Sequence, residues 1–176
     1  YSDHVSQRTP KALADAPSIS SEDALRKAAE LLSADSSQSE LLYQSNGQIP
    51  CYGFSCGTVS CTISKQGGLA LSLTDNRELN TVNLSAQQAV DKALQFLNSA
   101  GFKDMITSYH TIYEGICTIN FVSNENGIVA YPDLMKVGVA LDDGSIVRLD
   151  TAGYAMNYHK REPASPVVHL EQARSA

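Results

Sequence analysis

Two stretches of this 176-residue chain copy each other, and the copying constrains the fold more than any other feature: ISSEDALRKAAELL at 19–32 and LSAQQAVDKALQFL at 84–97. In each, an apolar residue precedes a serine, Ser20 or Ser85, and three positions later stands Asp23 or Gln88. This is the reciprocal capping pattern that satisfies the orphan amides of a helix start. Behind the caps, Ala24, Ala28, Leu31 and Leu32 fall on one face at helical spacing, as do Ala89, Ala93, Phe96 and Leu97. Each helix therefore has one side to bury. The second is expected to stop at 98–101, where Gly101 suits the left-handed C-terminal position, and the first to fade into the polar stretch 33–39.

Strands are expected after each helix. Following the second, 105–114 and 115–122 read as a hairpin and 124–127 as a turn, and Met135, Val137, Val139 and Leu141 alternate with the period of a half-buried strand. Asp142, Asp143, Gly144 and Ser145 then lead into 146–149, with the Asp-Gly pair read as a tight two-residue turn. The first unit repeats the layout with 41–45, 52–56, 59–64, a turn at 65–68, and 69–73. A helix followed by an antiparallel meander, twice, predicts an α+β chain of two tandem modules. The repeat sets the expected boundaries: an N-terminal extension over 1–18, module one over 19–80 and module two over 81–161. VHLEQA at 168–173 lies over LSAQQA at 84–89, so 162–176 reads as a linker and the severed start of a third module.

Composition removes some classes of partner. The chain carries a net charge of −6, with charged residues making up 18% of it, so it has no excess of basic surface to neutralise nucleic-acid phosphates or anionic lipid. No apolar run reaches the roughly 20 residues that cross a bilayer. The sequence starts at Tyr1 instead of methionine, and is read as an internal fragment whose anchoring segment lies outside it.

Catalytic and metal-binding patterns are sparse. Cys51, Cys56 and Cys61 recur every five residues with no histidine nearby, which does not match the close cysteine pairs of zinc sites. Together with Cys117 they are expected as small hydrophobes on strands, a disulfide being the alternative in an oxidising compartment. His4, His110, His159 and His169 fall in no catalytic motif, and the glycines at 53–57 and 67–68 lack the strand, loop and helix order of a phosphate cradle. Asp142 and Asp143 are read as turn residues, since the alternating oxygen ligands of a calcium loop are missing. No cofactor is implied. The Asn83-Leu84-Ser85 triplet is read as coincidence, because Ser85 serves as a cap. What remains is binding. Tyr131, Pro132, Tyr154, Met156, Asn157 and Tyr158 concentrate amphipathic side chains near the end of the second unit. They are candidates for a partner surface, with packing inside the module as the alternative.

The helix-then-meander unit resembles the PepSY domain, found in inhibitory propeptides of secreted metallopeptidases and in cell-envelope proteins. SDHVSQRTPKAL at 2–13, KQGGLALSLTDNREL at 65–79 and YPDLMKVGVALDDGSIVRLDTAGYAMNYHKR at 131–161 are similar to the C-terminal region of the YpeB family of spore-germination proteins. That resemblance implies an N-terminal membrane anchor outside this chain, and a location on the outer face of the inner spore membrane, facing the cortex. It implies a partner instead of a reaction: the cortex-lytic enzyme SleB, which such proteins stabilise and restrain. Inhibition of a secreted or envelope metallopeptidase is the alternative that the PepSY likeness implies. The cysteine trio is not part of the family pattern, and no cysteine role follows from it.

Overall fold

In the computed structural model, residues 8–162 are described; the proposed start of a third module at 168–173, with His4 and His169, lies outside them. A 3-10 turn at Lys11–Leu13 is followed by helix α1 (Ser21–Leu31) and strands β1 (Glu40–Ser45), β2 (Cys51–Cys56), β3 (Val59–Ser64) and β4 (Ala70–Asp75). Helix α2 (Ala86–Ser99) then precedes β5 (Met105–Tyr113), β6 (Ile116–Glu125), β7 (Ile128–Ala140) and β8 (Ile146–Asp150), and a short helix α3 (Ala152–Asn157) follows.

The two meanders are one sheet. β4 pairs antiparallel with β8, giving the order β1-β2-β3-β4-β8-β7-β6-β5, so the last strands of the two units meet at the middle and the first strands form the outer edges. Both long helices pack on the same apolar core. Ala24 and Ala28 of α1 and Ala89, Ala93 and Leu97 of α2 cover Phe54, Ile63, Leu73, Ile119, Phe121, Val137 and Leu149. The alanines let the helices lie close to the sheet, and each fully buried large side chain below contributes about 1.5–3 kcal/mol of transfer free energy. The opposite rows carry Thr62, Ser72, Thr74, Lys136 and Arg148. Tyr43 lies across Gly53 on that side, where any Cβ would run into its ring.

The caps differ from expectation in one respect. Ser85 and Gln88 complete the reciprocal box on α2. On α1, Ser20 accepts from the Asp23 amide, but the Asp23 carboxylate pairs with Arg26 one turn on and does not bond back. All four cysteines lie on strands as free thiols, Cys61 and Cys117 buried, Cys51 and Cys56 half-buried. Burial pushes the Cys61 thiol up to about 12, which makes it unreactive at neutral pH.

Candidate functional site

β7 does not run straight. Phe121 faces Met135 and Ser123 faces Ala130, so between them the single residue Val122 opposes the four residues Tyr131 to Leu134. Pro132 supplies the cause, since it has no N–H for the ladder and its φ is fixed. The bulge turns Asp133 inward, where its side chain is wholly buried. There it accepts from Ser123 Oγ at 2.5 Å and from both terminal nitrogens of Arg161, at 2.5 and 3.2 Å.

Helix α3 docks on this bulge. Thr151 starts it by donating from Oγ1 to the Ala70 carbonyl at 2.6 Å and from its amide to Leu71 at 2.9 Å. Gly153 passes so close to the bulge that an added Cβ would lie 2.8 Å from the Leu134 carbonyl oxygen. Asn157 Nδ2 donates to the Pro132 carbonyl at 3.1 Å and to Gly153 at 2.9 Å. The Tyr154 and Tyr158 rings stack at 4.5 Å, with Phe102 edge-on to Tyr154 at 5.3 Å. Tyr158 donates to Glu125 Oε2 at 2.7 Å, and the Arg161 guanidinium lies 5.8 Å from its ring centre. Burial, then the bond to Glu125, push the Tyr158 phenol up to about 12, and burial with nearby negative groups raises Tyr154 too. Both stay protonated at neutral pH, and Tyr158 donates.

The six residues singled out from the sequence thus occupy one neighbourhood, with Tyr131 and Pro132 on β7. Tyr154, Met156 and Asn157 lie on α3, and Tyr158 directly follows it. Pro132, Tyr154, Asn157 and Tyr158 make contacts within the chain, Met156 is half-buried, and Tyr131 leaves 69% of its surface exposed.

A second polar centre went unnoticed in the sequence. Arg77, just past β4, reaches the connection between β7 and β8 and donates to both Asp142 oxygens at 2.8 Å, to Asp143 at 2.9 Å and to Ser145 at 2.8 Å. Asp142 also accepts from the Asn80 and Asp143 amides. The connection spans residues 141–144 between the bonded pair Ala140 and Ser145, with Gly144 at φ +81°; it is a four-residue loop and not the expected two-residue turn. Asn83 donates to the Asp142 carbonyl, so the Asn-Leu-Ser triplet is occupied by linker and cap contacts. A lone arginine in a linker, with an acidic pair in a distant turn, was the available signal.

The Arg77 side chain and then the Asn80 amide hold the Asp142 carboxyl well below the usual carboxylate range. Because the folded value is the lower one, the stabilisation is fully present above about pH 4, the unfolded value, and is lost as pH falls below it. Thermal melts between about pH 2 and 7 should therefore show Arg77→Met far below the parent at neutral pH, with the gap closing in acid. A gap independent of pH would refute this.

Among the described residues, no group of three or more His, Cys, Asp and Glu is arranged to hold a metal, and no helix is long and apolar enough to cross a membrane. The sequence model of the family described as "YpeB sporulation, PepSY1 and PepSY2 domains" matches residues 1–164. The sporulation protein YpeB of Halalkalibacterium halodurans is 32% identical over 112 residues, covering 64% of this chain and 25% of that protein. For the sporulation protein YpeB of Bacillus subtilis the identity is 30% over 115 residues, covering 64% and 26%. The matched region thus spans about a quarter of the length of these curated relatives. The solved C-terminal domain of Bacillus megaterium YpeB shares the fold, with a TM-score of 0.74 and 23% identity, over 90% of this chain and 74% of that one. The stretches most specific in the sequence, 131–144 and 153–159, hold the bulge of β7 with the loop that Arg77 grips, and the helix that docks on the bulge, and the match runs through both: the chain belongs to the YpeB sporulation family, in the region of its PepSY1 and PepSY2 domains.

Proposed function

We propose that this chain is a non-catalytic module of a spore-germination protein that binds, stabilises and restrains a cortex-lytic peptidoglycan hydrolase of the SleB kind. The observation that carries the reading is membership of the YpeB family over 1–164. The disposition of charge agrees with it. In the two polar clusters, Arg77 with Asp142 and Asp143, and Arg161 with Asp133, both oxygens of Asp142 and of Asp133 are engaged by internal donors, while the exposed Asp143 is tied through Oδ1. A general acid or base needs a free lone pair or proton facing substrate, and neither Asp142 nor Asp133 offers one. The continuous sheet supplies a stiff scaffold, held in the full-length protein at the outer face of the inner spore membrane by an anchor outside this chain. Of the six residues near α3, Tyr131 offers its ring to the partner, and the other five shape the platform that presents it.

The test is to mix the chain with the cognate cortex-lytic enzyme and follow muropeptide release and proteolytic survival of the enzyme. Slower release and longer survival are expected. No binding and unchanged release would overturn the reading, and a panel of thermolysin-like peptidases run alongside should keep full activity.

A further inference from the structure

β5 is an outer edge of the eight-stranded sheet and the longer of the two edges, nine residues against six for β1. Only its first residue is buried, while Ile106, Tyr109, Ile112 and Tyr113 are 36%, 60%, 54% and 75% exposed. Its sequence, MITSYHTIY, has no proline, lysine or other charge of the kind that protects exposed edges, and its one interruption is a bulge at Ser108. The loop to β6 is the two-residue Glu114-Gly115, both at positive φ, which makes Tyr113 and Ile116 a hydrogen-bonded pair. By the alternation of an antiparallel ladder, the amides of His110 and Ile112 point away from β6, towards open space.

Beside this edge runs an open groove of about 450 Å³ between β5 and α2, lined by Ala86, Val90, Leu94, Met105, Ile106 and His110 among others, with no carboxylate, ammonium or guanidinium in its lining. Thr107, His110 and Ile112 share the helix side of the sheet, opposite the core residues Phe121, Ile119 and Cys117. A strand added to β5 would thus place alternate side chains against α2. The rims are mostly acidic: Asp104 and Glu114 are exposed at the two ends of the strand and Asp91 on α2, against Lys103 as a rim cation, in a chain of net charge −6. The chain already joins its own halves edge to edge, β4 to β8.

We propose that β5 and the groove beside α2 receive an extended apolar segment of the partner hydrolase, flanked by lysine or arginine, as a ninth strand of the sheet. Backbone hydrogen bonds supply the affinity of such an addition, side-chain pockets its register and the acidic rims its choice of partner. The inference rests on the hydrolase-binding reading above and adds the surface. Binding of the cognate hydrolase to the parent chain, Ile112→Pro, Thr107→Lys and Leu42→Lys tests it. Ile112→Pro removes an outward donor without touching the β6 ladder, and should weaken binding about tenfold or more at an unchanged Tm. Thr107→Lys should do the same by charging the helix side of the edge, where Thr107 lines the groove, and keeps the test alive if the proline variant fails to fold. Leu42→Lys, on the opposite edge, should bind like the parent, and in the complex the His110 and Ile112 amides should gain protection from deuterium exchange. If the parent binds and both β5 variants bind equally well, the surface is wrong while the function stands. No binding by the parent removes the function and this inference together. Self-association of the chain through β5, untouched by the hydrolase, would assign the edge to a second copy and overturn the proposal.

Discussion

Replacing Arg161 by alanine is expected to cost about 3–5 kcal/mol and to lower Tm by roughly 10 °C, because it strands a carboxylate in a dry site. Asp133 is wholly buried, and Arg161, itself only 12% exposed, provides two of its donors. Ser123 Oγ alone would remain. The carboxylate must then stay charged without a counter-ion, take up a proton, or drag the bulge open to reach water, and each route costs free energy. Opening the bulge also removes the Pro132 carbonyl that Asn157 holds, so α3 should loosen with it. The paired substitution Asp133→Leu with Arg161→Met should recover most of the loss, since apolar replacement of both partners leaves no stranded charge. Calorimetry measures the shift, and near-ultraviolet circular dichroism reports the Tyr154–Tyr158 stack in a chain without tryptophan. An unchanged Tm for Arg161→Ala would show that water already reaches Asp133.

That clamp marks the boundary of what one-dimensional patterns reveal. Ser20 and Ser85 announced helix starts because a cap is written within four residues, and Met135 to Leu141 announced a strand because alternation is local. α3 is different. Its six residues include Gly153 in the first turn, and Thr151 makes no side-chain cap, so nothing local predicts a helix. It exists because the bulge, Thr151 and the tyrosine stack hold it. The bulge was hidden for a related reason: Pro132 interrupts the pattern, so the strand was expected from Met135, whereas β7 starts at Ile128 and passes the proline by looping out four residues. Even the half-formed cap at Asp23 follows from competition, since Arg26 one turn away is a charged partner for the same carboxylate. The six candidate residues were found as a composition and turned out to be a place. Their grouping was legible, but the inward stack of Tyr154 and Tyr158 depends on Phe102, Glu125 and Arg161, which no spacing rule connects to them.

Leu149→Ala should destabilise both halves of the chain at once, by about 2–5 kcal/mol, as expected for a large-to-small change in a closed core. Leu149 stands at the joint, opposite Leu73 of β4 on one side and Val137 of β7 on the other, and both leucines are under 5% exposed. Were the halves independent beads, the loss would fall on β5 to β8 alone and melting would show two transitions. The geometry argues otherwise. A unit of this size buries only about 60% of the surface that its unfolded chain exposes, so each half is marginal by itself. Separating them would uncover the β4 and β8 edges together with the core beneath both helices, and would break the grip of Arg77 on Asp142. One calorimetric transition is therefore expected for parent and variant. Hydrogen exchange should quicken at the central amides of β2 as well as those of β6, although Leu149 touches neither strand's ladder. Acceleration confined to β6 and its neighbours would show that the joint carries register between the halves but not stability.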